Sequence, residues 1–97
     1  ANHNEIVKVL EDRKIPWLDT SIVGAGFPDG LALVNGRIEL VEIKNSKTSY
    51  GRKNGNSLQR KFAKHWQGGR VYLLRTVQEA TLFADGRLEE LSCVEFD

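Results

Sequence analysis

At 97 residues the chain has room for one domain and no second independent core. Its 40% hydrophobic and 28% charged residues are ordinary for a globular protein, which argues against disorder. No apolar run approaches the roughly 18 residues of a membrane helix, no signal-peptide pattern opens the sequence, and the net charge of +1 says nothing by itself about nucleic acid.

Residues 3 to 14 read as a first helix. Ile6, Val9, Leu10 and Arg13 recur at steps of three and four, and Asn2 with Glu5 forms a capping-box pattern; Pro16 is expected to end the helix. Trp17 to Val23 reads as extended, and Gly24-Ala25-Gly26 breaks it. After Phe27-Pro28-Asp29-Gly30 comes a short apolar strand, Leu31 to Val34. Asn35-Gly36 is a two-residue hairpin signal, and Arg37 to Lys44 is the returning strand.

Residues 45 to 56 are polar, basic and glycine-containing, a loop length that usually serves function or motion. A second helix is expected from Ser57 to Gln67, with Leu58, Phe62 and Trp66 on one stripe and Asn56 with Gln59 as a further capping box. Gly68-Gly69 stops it. Arg70 to Arg75 is apolar enough for a central strand. Thr76 and Glu79 open a third helix through about Phe83, and the tail from Leu88 to Asp97 is expected to add an edge strand. The order is αβββαβα, and a mixed sheet flanked by helices is the expected α/β packing for a single domain over residues 1–97.

Cys93 is the only cysteine, so an internal disulfide and a cysteine zinc site are both excluded; a lone thiol suits a reducing compartment. His3 and His65 are too far apart in sequence to suggest a histidine metal site. The first residue is not methionine, which points to a trimmed or engineered start and allows a larger parent protein.

The charge distribution is more telling than its sum. From Lys44 to Arg75 there are nine Lys or Arg residues and no Asp or Glu, so one face should be positive enough to track a phosphate backbone. A solvated basic helix and loop would carry the same pattern.

The hairpin then brings acids together. With the turn at Asn35-Gly36, paired residue numbers sum to 71, which sets Asp29 across from Glu42. Side chains alternate along a strand, so Glu42 and Lys44 share a face with Ile38 and Leu40, while Val41 and Ile43 line the other. Two adjacent carboxylates repel, a divalent cation between them is the natural relief, and magnesium is commonly held by one or two such groups. Lys44, one pleat further, could orient a water or steady charge on phosphorus. The same three charges would also serve as an ordinary cross-strand salt cluster.

Pro28-Asp29 followed by Glu42-Ile43-Lys44 resembles the PD-(D/E)xK nuclease superfamily. The fuller string resembles its VRR-NUC branch: Gly26-Phe27-Pro28-Asp29-Gly30-Leu31, Val41-Glu42-Ile43-Lys44, Leu58-Gln59-Arg60 and Gly69-Arg70-Val71-Tyr72-Leu73-Leu74-Arg75-Thr76. One arginine, Arg75, stands where the family's name implies two. The resemblance implies a restriction-endonuclease-like fold. It implies that Asp29, Glu42 and the main-chain carbonyl of Ile43 ligate Mg2+ or Mn2+, and that Lys44 is the catalytic lysine. Glu5 from the first helix and Gln59 from the second are implied as further site residues, although each also fits a helix cap.

The resulting expectation is a magnesium-dependent DNA endonuclease, selective for branched DNA such as four-way junctions. Lys47, Arg52, Lys53, Arg60, Lys61 and Lys64 would contact the DNA backbone, and Tyr50 could stack on a base. By resemblance to stand-alone members, a homodimer and a cytoplasmic, prokaryotic or phage setting are expected, because a two-fold axis pairs two active sites. The competing readings are a non-catalytic DNA-binding module of the same fold and a nuclease domain cut from a larger repair or helicase protein.

Overall fold

The computed structural model describes residues 2–44, 56–66 and 69–95. Its elements are α1 (His3–Asp12), β1 (Trp17–Asp19), a 3-10 turn (Ser21–Val23), β2 (Gly30–Val34), β3 (Arg37–Ile43), α2 (Ser57–His65), β4 (Val71–Leu74), α3 (Val77–Ala84) and a second 3-10 turn (Leu88–Glu90). The four strands form one mixed sheet in the order β1-β2-β3-β4. The first two pairings are antiparallel and β3-β4 is parallel. The order of helices and strands agrees with the expected αβββαβα, and helices flank the sheet. Among the described residues no helix is long and apolar enough to cross a membrane.

The hairpin register is the expected one, from Val34 opposite Arg37 to Gly30 opposite Val41. Its turn needs left-handed backbone at both central positions, and Asn35 (φ 54°) and Gly36 (φ 74°) supply it. These are residues that adopt positive φ at low steric cost, which is why so short a sequence signal sets the whole ladder.

Both sheet faces are covered. On one, Ile6 and Leu10 of α1 and Ala80 and Phe83 of α3 pack against Ala32, Val34, Val41, Tyr72 and Leu74. Burying side chains the size of Ile6 and Leu10 stabilises by about 1.5–3 kcal/mol each. The Tyr72 and Phe83 rings meet edge-to-face at 6.0 Å, and an Arg13–Asp85 ion pair ties the ends of α1 and α3. On the other face, Ala63 and Phe62 of α2 cover Leu40, Val71, Leu73 and Val94. The alternation along β3 therefore puts Val41 and Ile43 under α1 and α3, and Leu40 under α2.

Several local expectations are corrected. The first helix stops at Asp12, before Pro16, because Lys14 adopts φ 59° and the chain closes a Schellman turn. Lys14 N–H donates to the Glu11 carbonyl and Ile15 N–H to the Leu10 carbonyl, both at 2.9 Å. The extended run from Trp17 shrinks to three residues, since the Asp19 carboxylate accepts from the Ser21 N–H (2.8 Å) and hydroxyl (2.6 Å) and bends the chain. Those bonds, with His3 nearby, hold the Asp19 carboxyl below its usual range.

On α2 the stripe is not buried throughout. Phe62 and Ala63 make the contact, while Leu58 and Trp66 remain 55% and 45% exposed. Trp66 instead stacks on Phe62, which meets Phe27 edge-on at 5.2 Å. At α3 the capping box is half formed: Thr76 accepts from the Glu79 N–H, but the Glu79 carboxylate reaches Arg75.

The strand at 71–74 is fully buried yet ends the sheet order. Its outer edge is covered by the tail, whose described residues contribute one antiparallel bridge, Tyr72 with Cys93, and no strand. Leu73 N–H donates to the Ser92 carbonyl and Val94 N–H to the Val71 carbonyl. Those bonds satisfy main-chain groups that an exposed edge would leave open.

Candidate active site

Asp29 lies one residue before β2, so the sheet ladder does not hold it. Three other bonds do. Its Oδ2 accepts from the Ile43 N–H at 2.9 Å, its carbonyl accepts from the Thr20 N–H at 2.7 Å, and the Thr20 hydroxyl donates to the preceding Pro28 carbonyl at 2.8 Å. Pro28 is buried beneath this loop. Thr20 is a contributor that the motif strings do not reveal; only its position just before a turn hints at it.

The loop reaches α2 as well. Gly26 has φ +84°, and a Cβ there would lie 2.4 Å from the Leu58 carbonyl oxygen and 3.1 Å from the Gln59 nitrogen. Only a glycine permits so close an approach of the loop to the first turn of α2. Gly26→Ala should therefore destabilise the protein by about 2–4 kcal/mol, through backbone strain plus overpacking. Gly24→Ala, also at positive φ but in open space, should cost less. Urea unfolding of the two variants checks the difference.

Glu42 is the buried charged residue of the core, 2% exposed. It lies on the same sheet face as Leu40, and its carboxyl hydrogen-bonds the Asp29 side chain. Among the described residues its Oε2 is buried without a hydrogen-bond partner. Burial first, then the bond to Asp29 and the Asp29 charge, push the Glu42 pKa from 4.5 up to about 9, while the Lys44 ammonium pulls the other way. Glu42 therefore holds its proton against the Asp29 charge when nothing else neutralises it. Asp29, Glu42 and Lys44 are brought together as the hairpin register requires, with the Ile43 main chain between them.

The other sequence-derived candidates are placed differently. Glu5 is exposed and held in the α1 cap: the Asn2 N–H donates to its carboxylate at 3.3 Å, and Asn2 accepts from the Glu5 N–H at 2.9 Å. Gln59 sits where its backbone adjoins the Asp29 loop, but its side chain accepts from the Asn56 N–H at 2.9 Å and completes the α2 capping box. Among the described residues no group of three or more His, Cys, Asp or Glu side chains converges, so Glu5 does not join Asp29 and Glu42.

On α2, Lys61 and Lys64 are exposed and Arg60 is half-buried, which leaves a basic outer surface on the helix whose first turn adjoins the acid pair's loop. Lys47, Tyr50, Arg52 and Lys53 lie outside the described residues. Cys93 is no nucleophile candidate, because burial pushes its thiol up and keeps it protonated. A groove of about 770 Å³ beside Phe27, Ile38, Leu40, Trp66 and Tyr72 does not border Asp29, Glu42 or Lys44.

The residues present fit a divalent cation. Two carboxyl groups adjoin, one buried oxygen has no protein donor among the described residues, and magnesium, which would displace the Glu42 proton, needs no more than one or two carboxylates from protein. Compared with models of known protein families, with curated proteins and with solved structures, the chain finds no match.

Proposed function

We propose that this protein is a magnesium-dependent DNA endonuclease of restriction-endonuclease-like topology, similar to the VRR-NUC branch. The observation that carries the reading is Glu42, a carboxyl buried to 2% exposure, paired with Asp29, with an oxygen that no described protein group satisfies. A buried acid pair of this kind is costly, and sites that retain such a cost tend to bind or react. Lys44 acts on Glu42 from the same sheet face, where the nuclease reading needs a positive charge.

Asp29, Glu42 and the Ile43 carbonyl would hold Mg2+ or Mn2+. When bound, the ion supplies charge neutralisation at the scissile phosphate and polarises a nearby water. Lys44 contributes a second positive charge on the same face, placed to orient the attacking water and to offset charge developing on the phosphate oxygens. The inner oxygen of Glu42 is shut off from water on the α2 face of the sheet, beside Leu73, which strengthens each electrostatic contact at the pair. Arg60, Lys61 and Lys64 would bind backbone phosphates without reading bases. Glu5 and Gln59 would join only after leaving their caps.

The proposed substrate is branched DNA, four-way junctions above all, cut by a two-fold homodimer whose paired sites face symmetry-related strands. A cleavage panel tests this. With Mg2+, purified protein should nick a synthetic four-way junction at least about tenfold faster than linear duplex, a difference of about 1.4 kcal/mol in transition-state stabilisation. Equal rates refute the substrate preference but not the nuclease. Metal-independent DNA binding with no cleavage of any substrate would instead establish a binding module.

A further inference from the structure

Thr20 precedes the 3-10 turn Ser21–Val23 and is its N-cap residue. A threonine in that position commonly turns its hydroxyl onto the amides of the turn it opens. Here no such side-chain bond forms. The hydroxyl instead donates to the Pro28 carbonyl at 2.8 Å, and the Thr20 N–H donates to the Asp29 carbonyl at 2.7 Å. One residue therefore grips two successive carbonyls of the segment that carries Asp29.

The segment needs that grip. Asp29 precedes β2, and the chain before it runs through positive φ at Gly24, Ala25 and Gly26, which supplies no ladder of its own. Toward β3, the Asp29 carboxylate is anchored by the Ile43 N–H, which donates to Oδ2 at 2.9 Å. With the backbone held at Thr20 and the carboxylate held at Ile43, Asp29 is fixed from both sides of the hairpin end.

We propose that Thr20 is a positioning residue for the candidate metal centre, acting through the Pro28-Asp29 backbone to aim the Asp29 carboxylate at Glu42. The proposal rests on the reading of Asp29 as a metal ligand. Its effect should resemble that of other groups that orient a ligand from behind, where loss costs about 10–100-fold in metal affinity.

The test compares Thr20→Val, which keeps the shape and removes the hydroxyl, with Thr20→Ser, which keeps the hydroxyl. Mg2+ and Mn2+ affinity is measured by titration calorimetry, and amide exchange at Ile43 is measured on the metal-free protein. Thr20→Val is expected to bind metal about 10–100-fold more weakly and to exchange the Ile43 amide faster, with Thr20→Ser close to the parent in both. The proposal is overturned if Thr20→Val only lowers the melting temperature and leaves metal affinity and Ile43 exchange unchanged. It is equally overturned if Thr20→Ser loses as much metal affinity as Thr20→Val, since the methyl group and not the hydroxyl would then matter. If Asp29→Asn binds Mg2+ as tightly as the parent, the metal-centre reading itself fails, an outcome separate from any behaviour of Thr20.

Discussion

Asp29→Asn and Lys44→Ala should each abolish most magnesium-dependent cleavage while leaving the protein folded. Asparagine retains an acceptor for the Ile43 N–H, so the hairpin end stays closed. What it loses is one of two charges that would hold the cation, and cleavage should fall to background. An alanine at residue 29 would mix that loss with an unsatisfied amide, worth about 1–3 kcal/mol of stability. Asparagine is therefore the cleaner probe.

Lys44→Ala removes the positive charge beside Glu42 without touching either acid. The rate of the cleavage step should drop about 10²–10³-fold, the usual loss for one group that stabilises developing charge. DNA affinity should change little, because the phosphate contacts are assigned to Arg60, Lys61, Lys64 and the basic segment before them. Gel-shift and single-turnover cleavage assays on the same substrate separate the two quantities. Retention of full cleavage by Lys44→Ala would remove the lysine from the chemistry.

The second large effect concerns pH and metal together. In the metal-free protein Glu42 keeps its proton up to about pH 9, whereas the unfolded chain releases it near the ordinary value of 4.5. Between those values the folded state binds more protons than the unfolded one, so stability falls as pH rises through this window and levels off above it. Below 4.5 this contribution is fully present. The direction is opposite to that of a salt-bridged carboxylate, whose contribution is lost on acidification.

Glu42→Gln carries no titrating proton. The metal-free variant should lose most of this alkaline slope and be more stable than the parent at pH 8 by at least about 1–3 kcal/mol, because it folds there without taking up a proton. For a chain this size that is roughly 4–8 °C in melting temperature per kcal/mol. The same substitution should abolish the stabilisation that Mg2+ confers on the parent. In the parent that stabilisation should be larger at pH 8.5 than at pH 6.5, since binding must expel the Glu42 proton. Thermal melts at both pH values, with and without Mg2+, check all three outcomes. An unchanged alkaline slope in Glu42→Gln would show that another group titrates.

Local chemistry made much of this arrangement legible. Asn35-Gly36 tolerates the two positive φ values a tight hairpin demands, and from that turn the pairing counts outward to Asp29 and Glu42. The two-residue period of a strand then sets Glu42 and Lys44 on one face. The Asn2–Glu5 and Asn56–Gln59 caps were equally readable, because each is closed by residues three apart. All of these depend on neighbours within a few positions, where backbone preferences and side-chain reach decide the outcome.

Tertiary structure decided the rest. That Glu42 is buried, and so protonated in the absence of metal, depends on chain far from it, with Leu73 beside it on β4 and Ala63 across the same face on α2. The Thr20 latch depends on where β1 ends, and that follows from a bend at Asp19 and Ser21. The buried strand 71–74 reads as central by hydropathy, yet it is a terminal strand shielded by the tail, since apolarity reports coverage and not which segment covers it. A strand's period determines which way a side chain points. How dry the place is, and therefore whether a carboxyl there holds a proton or a metal, is a sum over partners that only the folded chain assembles.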